Sequence, residues 1–240
     1  RTLAGSDAAE QRLKLPVLAA LPVLPKVDGD EATRVYLDHP KSSFSEAIRT
    51  ARTAVMLSTI DQTNKVVLVT SAATGEGKTT VAANLAYAHA MTRRTLIIDA
   101  NMRMPQLGIR LGIPAGSKGL TNLVAGEAQA PDCFHRLAGS KLRVLPVGDL
   151  PINPLELLLS QRFGRLLKIL ETGFETIIID SPPIDQVSDA LVLASMVPST
   201  VFVVKAGDTP YPKVLKTLDR VRRTGTKVLG VVLNQSEPLA

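Results

Sequence analysis

Sulfur and aromatic rings are scarce in this 240-residue chain: Cys133 is the sole cysteine, tryptophan is absent, and aromatics make up 3% of the residues. One cysteine excludes an internal disulfide framework and any cysteine-rich zinc or iron–sulfur site. The three histidines, His39, His89 and His135, are scattered and form no ligand cluster. No apolar run approaches the roughly 18 residues a membrane-spanning helix needs. No signal-peptide pattern opens the chain, which starts at Arg1 and is expected to be a piece of something longer. A thiol-poor chain of this kind fits a reducing compartment. With so few aromatics there is no base-stacking platform, so nucleic acid is not an expected partner despite a net charge of +6.

What is present is an ordinary globular composition, 45% hydrophobic and 21% charged, in a chain long enough to bury a sizeable core. The positive charge is concentrated late. Lys213, Lys216, Arg220 and Arg223 share one helical face, and Val214, Leu215, Leu218 and Val221 share the other. That reads first as a solvated face.

The first forty residues differ from the rest. Pro16, Pro22 and Pro25 punctuate LPVLAALPVLP, a density that excludes helix and favours extended chain or an edge strand. Residues 1–41 are therefore expected to be a linker docked on a domain spanning 42–240. The segment KSSFSEAIRTARTAVMLST carries a helical apolar stripe at Phe44, Ala47, Ile48, Ala51 and Val55. Ser43 and Glu46 have the spacing of a capping box. Beyond it, apolar runs (KVVLVT, TLIID, Leu142–Val147, TIIID, TVFVVK, KVLGVVL) alternate with helical segments, one of them from Pro154 to about Leu170 with Asn153 as N-cap. Uninterrupted Val/Ile/Leu strands joined by helices predict a doubly wound α/β fold: a mainly parallel sheet covered on both faces. Functional groups in such sheets gather at the carboxyl ends of the strands.

One such end carries SAATGEGKTT. Ala72-x-x-x-x-Gly77-Lys78-Thr79 is a P-loop pattern lying, as its mechanism requires, between a buried strand and a helix. Gly75 and Gly77 allow the backbone to curl so that successive N–H groups face phosphate oxygens. Lys78 supplies a charge to the β/γ-phosphates and the Thr79 hydroxyl a ligand for Mg²⁺. The chain is expected to bind a nucleotide. Asp99 and Asp180 each end an apolar strand, and in one parallel sheet both would emerge beside that loop as metal partners. Taken singly, either could be a helix N-cap instead.

In order, SAATGEGKTT, LIIDANMRMP and IIIDSPP resemble the Walker A, A′ and B motifs of bacterial protein-tyrosine kinases, the cytoplasmic domains of polysaccharide co-polymerases within the deviant Walker P-loop group. GLTNLVAGEA and SDALVLA look like family segments too, and Glu46-x-x-Arg49-x-x-Arg52 matches the family's ring-forming ExxRxxR motif. The resemblance implies ATP and Mg²⁺ as cofactors, with Thr79, Asp99 and Asp180 on the metal. It implies Lys78, Asp99 and Asp180 as the catalytic set, Asp99 receiving the proton of a tyrosine hydroxyl. The implied nucleotide contacts are Thr74, Gly75, Glu76, Gly77, Lys78, Thr79 and Thr80, with Asn101 and Arg103. It further implies a homo-oligomeric ring through Glu46, Arg49 and Arg52, transfer to a neighbour's tyrosine-rich tail, and attachment to the cytoplasmic face of the bacterial inner membrane.

Two departures stand out. The A′ motif is usually Asp-x-Asp-x-Arg, whereas here Asn101 holds the second acidic position; asparagine keeps an oxygen and loses a charge. No tyrosine cluster is present, the tyrosines being Tyr36, Tyr87 and Tyr211, and Tyr87 reads as a packing residue. Two other functions remain open: an ATP-binding scaffold that transfers no phosphate, and a partition- or septum-site-type ATPase switch. The switch proteins carry an extra lysine five positions before the P-loop lysine, where this chain has Ala73. Asn234, just past the last strand, is a candidate for contact with the base.

Overall fold

The structure is a computed structural model that describes residues 2–63 and 65–237. Its strands are β1 (Val17–Pro22), β2 (Val66–Ser71), β3 (Thr95–Asp99), β4 (His135–Arg136), β5 (Arg143–Leu145), β6 (Thr176–Asp180), β7 (Ser199–Lys205) and β8 (Lys227–Ser236). They form one sheet in the order β1-β8-β7-β2-β6-β3-β5-β4, parallel at every pairing except β4 with β5.

Side chains alternate across this sheet as extended backbone dictates. Leu96, Ile98, Ile177 and Ile179 enter one core, which Phe163, Leu193, Val214 and Leu218 complete from helices. Ile97 and Ile178 enter the other, against Ile48, Val55, Leu85 and Tyr87. Both faces are therefore covered, which is why these strands tolerate no polar alternation.

Several local expectations are revised. The proline-rich segment forms the edge strand its composition allows, β1, but pairs with β8, so residues 17–22 belong to the sheet itself and are not only a docked linker. Its prolines are tolerated because an edge strand leaves one row of N–H groups unpaired. A helix, Ser6–Leu13, precedes it. The Ser43–Ser58 helix is capped by Ser42, whose hydroxyl accepts from Ser45 N at 3.2 Å, and not by Ser43. Glu46 makes no capping box; it pairs with Arg49 instead. The expected helix from Pro154 breaks at Ser160 into Pro154–Leu159 and Gln161–Gly173, because Ser160 adopts an extended conformation and caps the second helix through Phe163 N. Asn153 caps the first through Glu156 N, as its position suggests.

Candidate active site

Strand β2 lies between β6 and β7, where successive crossovers leave in opposite directions and open a crevice at the strand ends. The loop from Ser71 to Lys78 fills that position. Gly75 and Gly77 have φ values of 81° and 85°, in the left-handed region that favours glycine. Gly77 is required twice over, because a Cβ there would lie 2.0 Å from the Asn234 amide nitrogen. The next residue, Lys78, begins a thirteen-residue helix, so loop N–H groups and the helix's positive end face the same space.

That space is a cleft of about 290 Å³. Thr74, Gly75, Gly77, Lys78, Thr79, Thr80, Asn101 and Arg103 line it, all of them named from the sequence. Gln106, Arg110, Gln186 and Gln235 line it as well, and no motif pointed to them. Gln186 donates to the Thr74 hydroxyl, and Arg110 is close enough to act electrostatically on Asp180.

Glu76 is the exception among the loop residues. Its side chain is buried and faces inward, accepting from Ala73 N at 2.8 Å and from the Thr209 hydroxyl at 2.7 Å. Its backbone carbonyl accepts from Asn234 Nδ2 at 3.1 Å. Glu76 and Asn234 therefore brace the loop from beneath. Asn234 lies within β8, not past it, and one of its amide hydrogens is taken by that contact.

Asp99 and Asp180 are Cα partners in the register of β3 with β6, which brings the two buried carboxyls side by side. Thr79 donates its hydroxyl to Asp180 Oδ2 at 2.8 Å. One oxygen of each carboxylate, Asp99 Oδ2 and Asp180 Oδ1, is buried without a partner among the described residues. Burial, then the neighbouring Asp180, holds the Asp99 carboxyl well above the usual carboxylate range. Burial also raises Asp180, while Lys78 and the Thr79 hydroxyl pull the other way. Two orphaned carboxylate oxygens beside a hydroxyl form a hard-oxygen donor set. No group of three or more His, Cys, Asp or Glu side chains that could hold a metal converges among the described residues. A site of two carboxylates and a hydroxyl suits Mg²⁺, which is bound by few protein ligands and completed by phosphates and water.

Other predicted residues have partners inside the fold. Arg103 gives its guanidinium to the fully buried Asp189, at 2.9 Å through Nε and 3.0 Å through Nη2, clamping the loop after β3 to the Asp189–Met196 helix. Asn101 Oδ1 accepts from Met104 N at 3.2 Å, a turn that an aspartate would form equally well. Arg49 pairs with Glu46, donates to the Pro40 carbonyl at 2.6 Å and lies 5.2 Å from the Tyr36 ring centroid. Arg52 donates to the Ala88 carbonyl at 3.2 Å on the P-loop helix. The ExxRxxR residues thus fasten their own helix to its neighbours, with Glu46 the most exposed of them. Tyr36 and Tyr87 are buried, and burial pushes the Tyr87 hydroxyl up to about 12.

A strand–loop–helix nucleotide cradle with two strand-end aspartates defines a P-loop nucleotide-binding domain. Residues 67–239 match the CobQ/CobB/MinD/ParA nucleotide binding domain family. The chain is 36% identical over 199 residues to CapB of Staphylococcus aureus, covering 82% of this chain and 87% of CapB. It is 34% identical over 197 residues to the tyrosine-protein kinase Wzc of Salmonella typhi, covering 82% of this chain and 27% of Wzc. The crystal structure of the chimerical protein CapA2B2 superimposes with a TM-score of 0.90 at 32% identity, covering 98% of this chain and all of that one. Within the P-loop class, the chain belongs to the family of bacterial tyrosine-protein kinases.

Proposed function

We propose that this chain binds Mg-ATP on the Thr74–Thr80 loop and transfers the γ-phosphoryl group to a tyrosine hydroxyl of a neighbouring subunit. The observation that carries the reading is the register-matched pair of buried carboxyls, Asp99 and Asp180, with orphaned oxygens beside Thr79 and Lys78. Asp180 and Thr79 would hold Mg²⁺, with Asp99 completing the shell. When bound, the ion neutralises charge on the β- and γ-phosphate oxygens. Lys78, on the P-loop beside Asp180, supplies the fixed positive charge for the phosphate oxygens.

In the transfer, the tyrosine oxygen forms the new bond to phosphorus and the bond from the γ-phosphorus to its bridging oxygen breaks, leaving ADP. The phenolic proton passes to Asp99. Asp99 Oδ2, buried and without a partner among the described residues, is the oxygen open to that proton.

Residues 1–41 would connect to a membrane-anchored part of a longer protein at the cytoplasmic face of the inner membrane. Glu46, Arg49 and Arg52 would seat each subunit head-to-tail on the next, closing a ring that regulates polysaccharide synthesis or export. No helix among the described residues is itself long and apolar enough to cross a membrane. Tyr36 and Tyr87 are buried and Tyr211 is half-buried with Arg12 4.6 Å over its ring, so the acceptors are expected elsewhere, on a tail or a partner chain.

Incubation of the chain with Mg-ATP and a tyrosine-containing acceptor peptide, followed by mass analysis, tests this reading. Phosphotyrosine on the peptide is expected. Release of ADP with no phosphotyrosine would favour the ATPase-switch alternative, and ATP binding with neither product would favour the scaffold.

A further inference from the structure

A second cleft is larger than the nucleotide site. A cavity of about 480 Å³ opens at the opposite, amino-terminal end of the sheet, where β3 begins at Thr95 and β5 at Arg143. Five cationic side chains line it: Arg93, Arg94, Arg136, Lys141 and Arg143. Glu175 is its only acid, and one Glu175 oxygen is already occupied by Arg94 N at 2.8 Å. None of the five cations has an ion-pair partner among the described residues. Their side-chain contacts are to backbone: Arg94 Nε to the Gly173 carbonyl at 3.4 Å and Arg143 Nη1 to the Lys141 carbonyl at 3.1 Å.

This arrangement is costly to the free protein. Arg136 and Arg143 are direct cross-strand partners in the antiparallel β4–β5 pair, where like charges repel. Burial, and then Arg136, lowers the pKa of Arg143. A parallel sheet could end in any short hairpin, and an acid at either position would remove the repulsion. An incoming anion would remove it too.

The aromatic lining narrows the kind of anion. Phe134 and Phe174 meet edge-to-face, with centroids 5.6 Å apart and planes at 86°; both are half-buried and line the same cleft as the exposed Arg94, Arg136 and Lys141. An aromatic pair and several guanidinium forks lining one cleft fit a ligand with a planar ring at one end and a dianion at the other. Guanidinium forks bind phosphate oxygens in pairs, and a third ring can stack on the Phe134–Phe174 pair. A membrane surface is flat on this scale and would meet the exposed charges alone.

We propose that this cleft binds phosphotyrosine, the aryl phosphate that the enzyme's own reaction makes, presented on an exposed peptide segment. It would thereby read product at a site separated from the P-loop by the length of the sheet. The identity of the ring-bearing phosphate rests on the tyrosine-kinase reading; the charge and shape of the cleft do not.

The test is fluorescence anisotropy with a labelled phosphotyrosyl peptide, its unphosphorylated counterpart and a phosphoseryl counterpart, with Mg-ADP in excess to fill the nucleotide site. Selective binding of the phosphotyrosyl peptide is expected. Binding should weaken by roughly ten-fold or more in R136Q/R143Q, since each lost bond is charge-assisted, and survive in K78M. Replacing Phe134 with Leu should lower the preference for phosphotyrosine over phosphoserine. R136Q/R143Q should melt no lower than the parent, because it removes a repulsion, and should still phosphorylate a saturating acceptor peptide at the parental rate. Equal affinity for the phosphotyrosyl and phosphoseryl peptides would overturn the proposal. So would binding that K78M abolishes and R136Q/R143Q leaves intact, or capture by phosphatidylserine vesicles with no peptide binding. Because transfer is assayed separately from peptide binding, loss of one reading leaves the other visible.

Discussion

His89 lies on the P-loop helix, buried, with neither ring nitrogen partnered among the described residues. Burial first, then Arg52, Arg93 and Lys65, pushes its pKa down from 6.5 to about 3. The folded state therefore keeps the ring neutral, while the unfolded chain takes up a proton below about pH 6.5. The stability this residue allows is complete above that value and is lost as pH falls toward 3. Between pH 7 and pH 5 the loss works out at about 2 kcal/mol, and it continues at up to ~1.4 kcal/mol per pH unit below that. His89→Leu removes the titration and fills much of the same space. Urea or thermal unfolding of parent and variant at pH 7, 6 and 5 should show the variant gaining about 2 kcal/mol on the parent, on the order of 4–8 °C in melting temperature for a chain of this size. Comparing the two proteins cancels Asp99 and Asp180, whose raised pKa values act in the opposite direction and are the same in both. A difference that stays constant across the three pH values would refute the reasoning, since it would mean that the folded ring ionises as readily as the unfolded one.

Three further outcomes are expected. Glu76→Ala deletes the acceptor for both Ala73 N and Thr209 and should cost about 2–4 kcal/mol of stability, with weaker ADP binding by calorimetry, whereas Glu76→Gln can re-form both contacts and should cost less than half of that. Asn101→Asp keeps the turn to Met104 N and adds a charge facing the cleft, so the Mg²⁺ concentration for half-maximal transfer should fall; an unchanged titration would place Asn101 outside the metal's surroundings. Glu46→Lys leaves Arg52 on Ala88 and should preserve ATP binding while reducing both light-scattering mass and transfer at high protein concentration; full assembly would return the ExxRxxR residues to a purely intramolecular role.

The strands were legible because a strand buried on both faces must be an unbroken apolar run, and the aspartates ending β3 and β6 were legible as the first polar residues of such runs. The P-loop was legible because its glycines, lysine and threonine act at fixed short spacing. Partners far apart in sequence were not. Nothing near Glu76 signals that Thr209, 133 positions away, takes its carboxylate, and nothing near Arg103 signals Asp189, 86 positions on. The same holds for Arg52, which could be placed on a helix but not against the Ala88 carbonyl. The proline argument allowed an edge strand at 17–22 but not its partner, because pairing with β8 is set by the long-range fold. Ser160 did carry a local signal: a serine three residues before Phe163 is a cap, and caps divide helices.

The most direct test of the central assignment is Lys78→Met. Lys78 follows a loop whose shape is set by Gly75, Gly77, Glu76 and Asn234, so the variant should fold and melt like the parent. Phosphotyrosine formation on an acceptor peptide, measured by mass analysis under saturating Mg-ATP, should fall by ~10²–10³ as the fixed charge on the transferring phosphate is lost. Near-parental phosphotyrosine formation by Lys78→Met would contradict the assignment of chemistry to this loop.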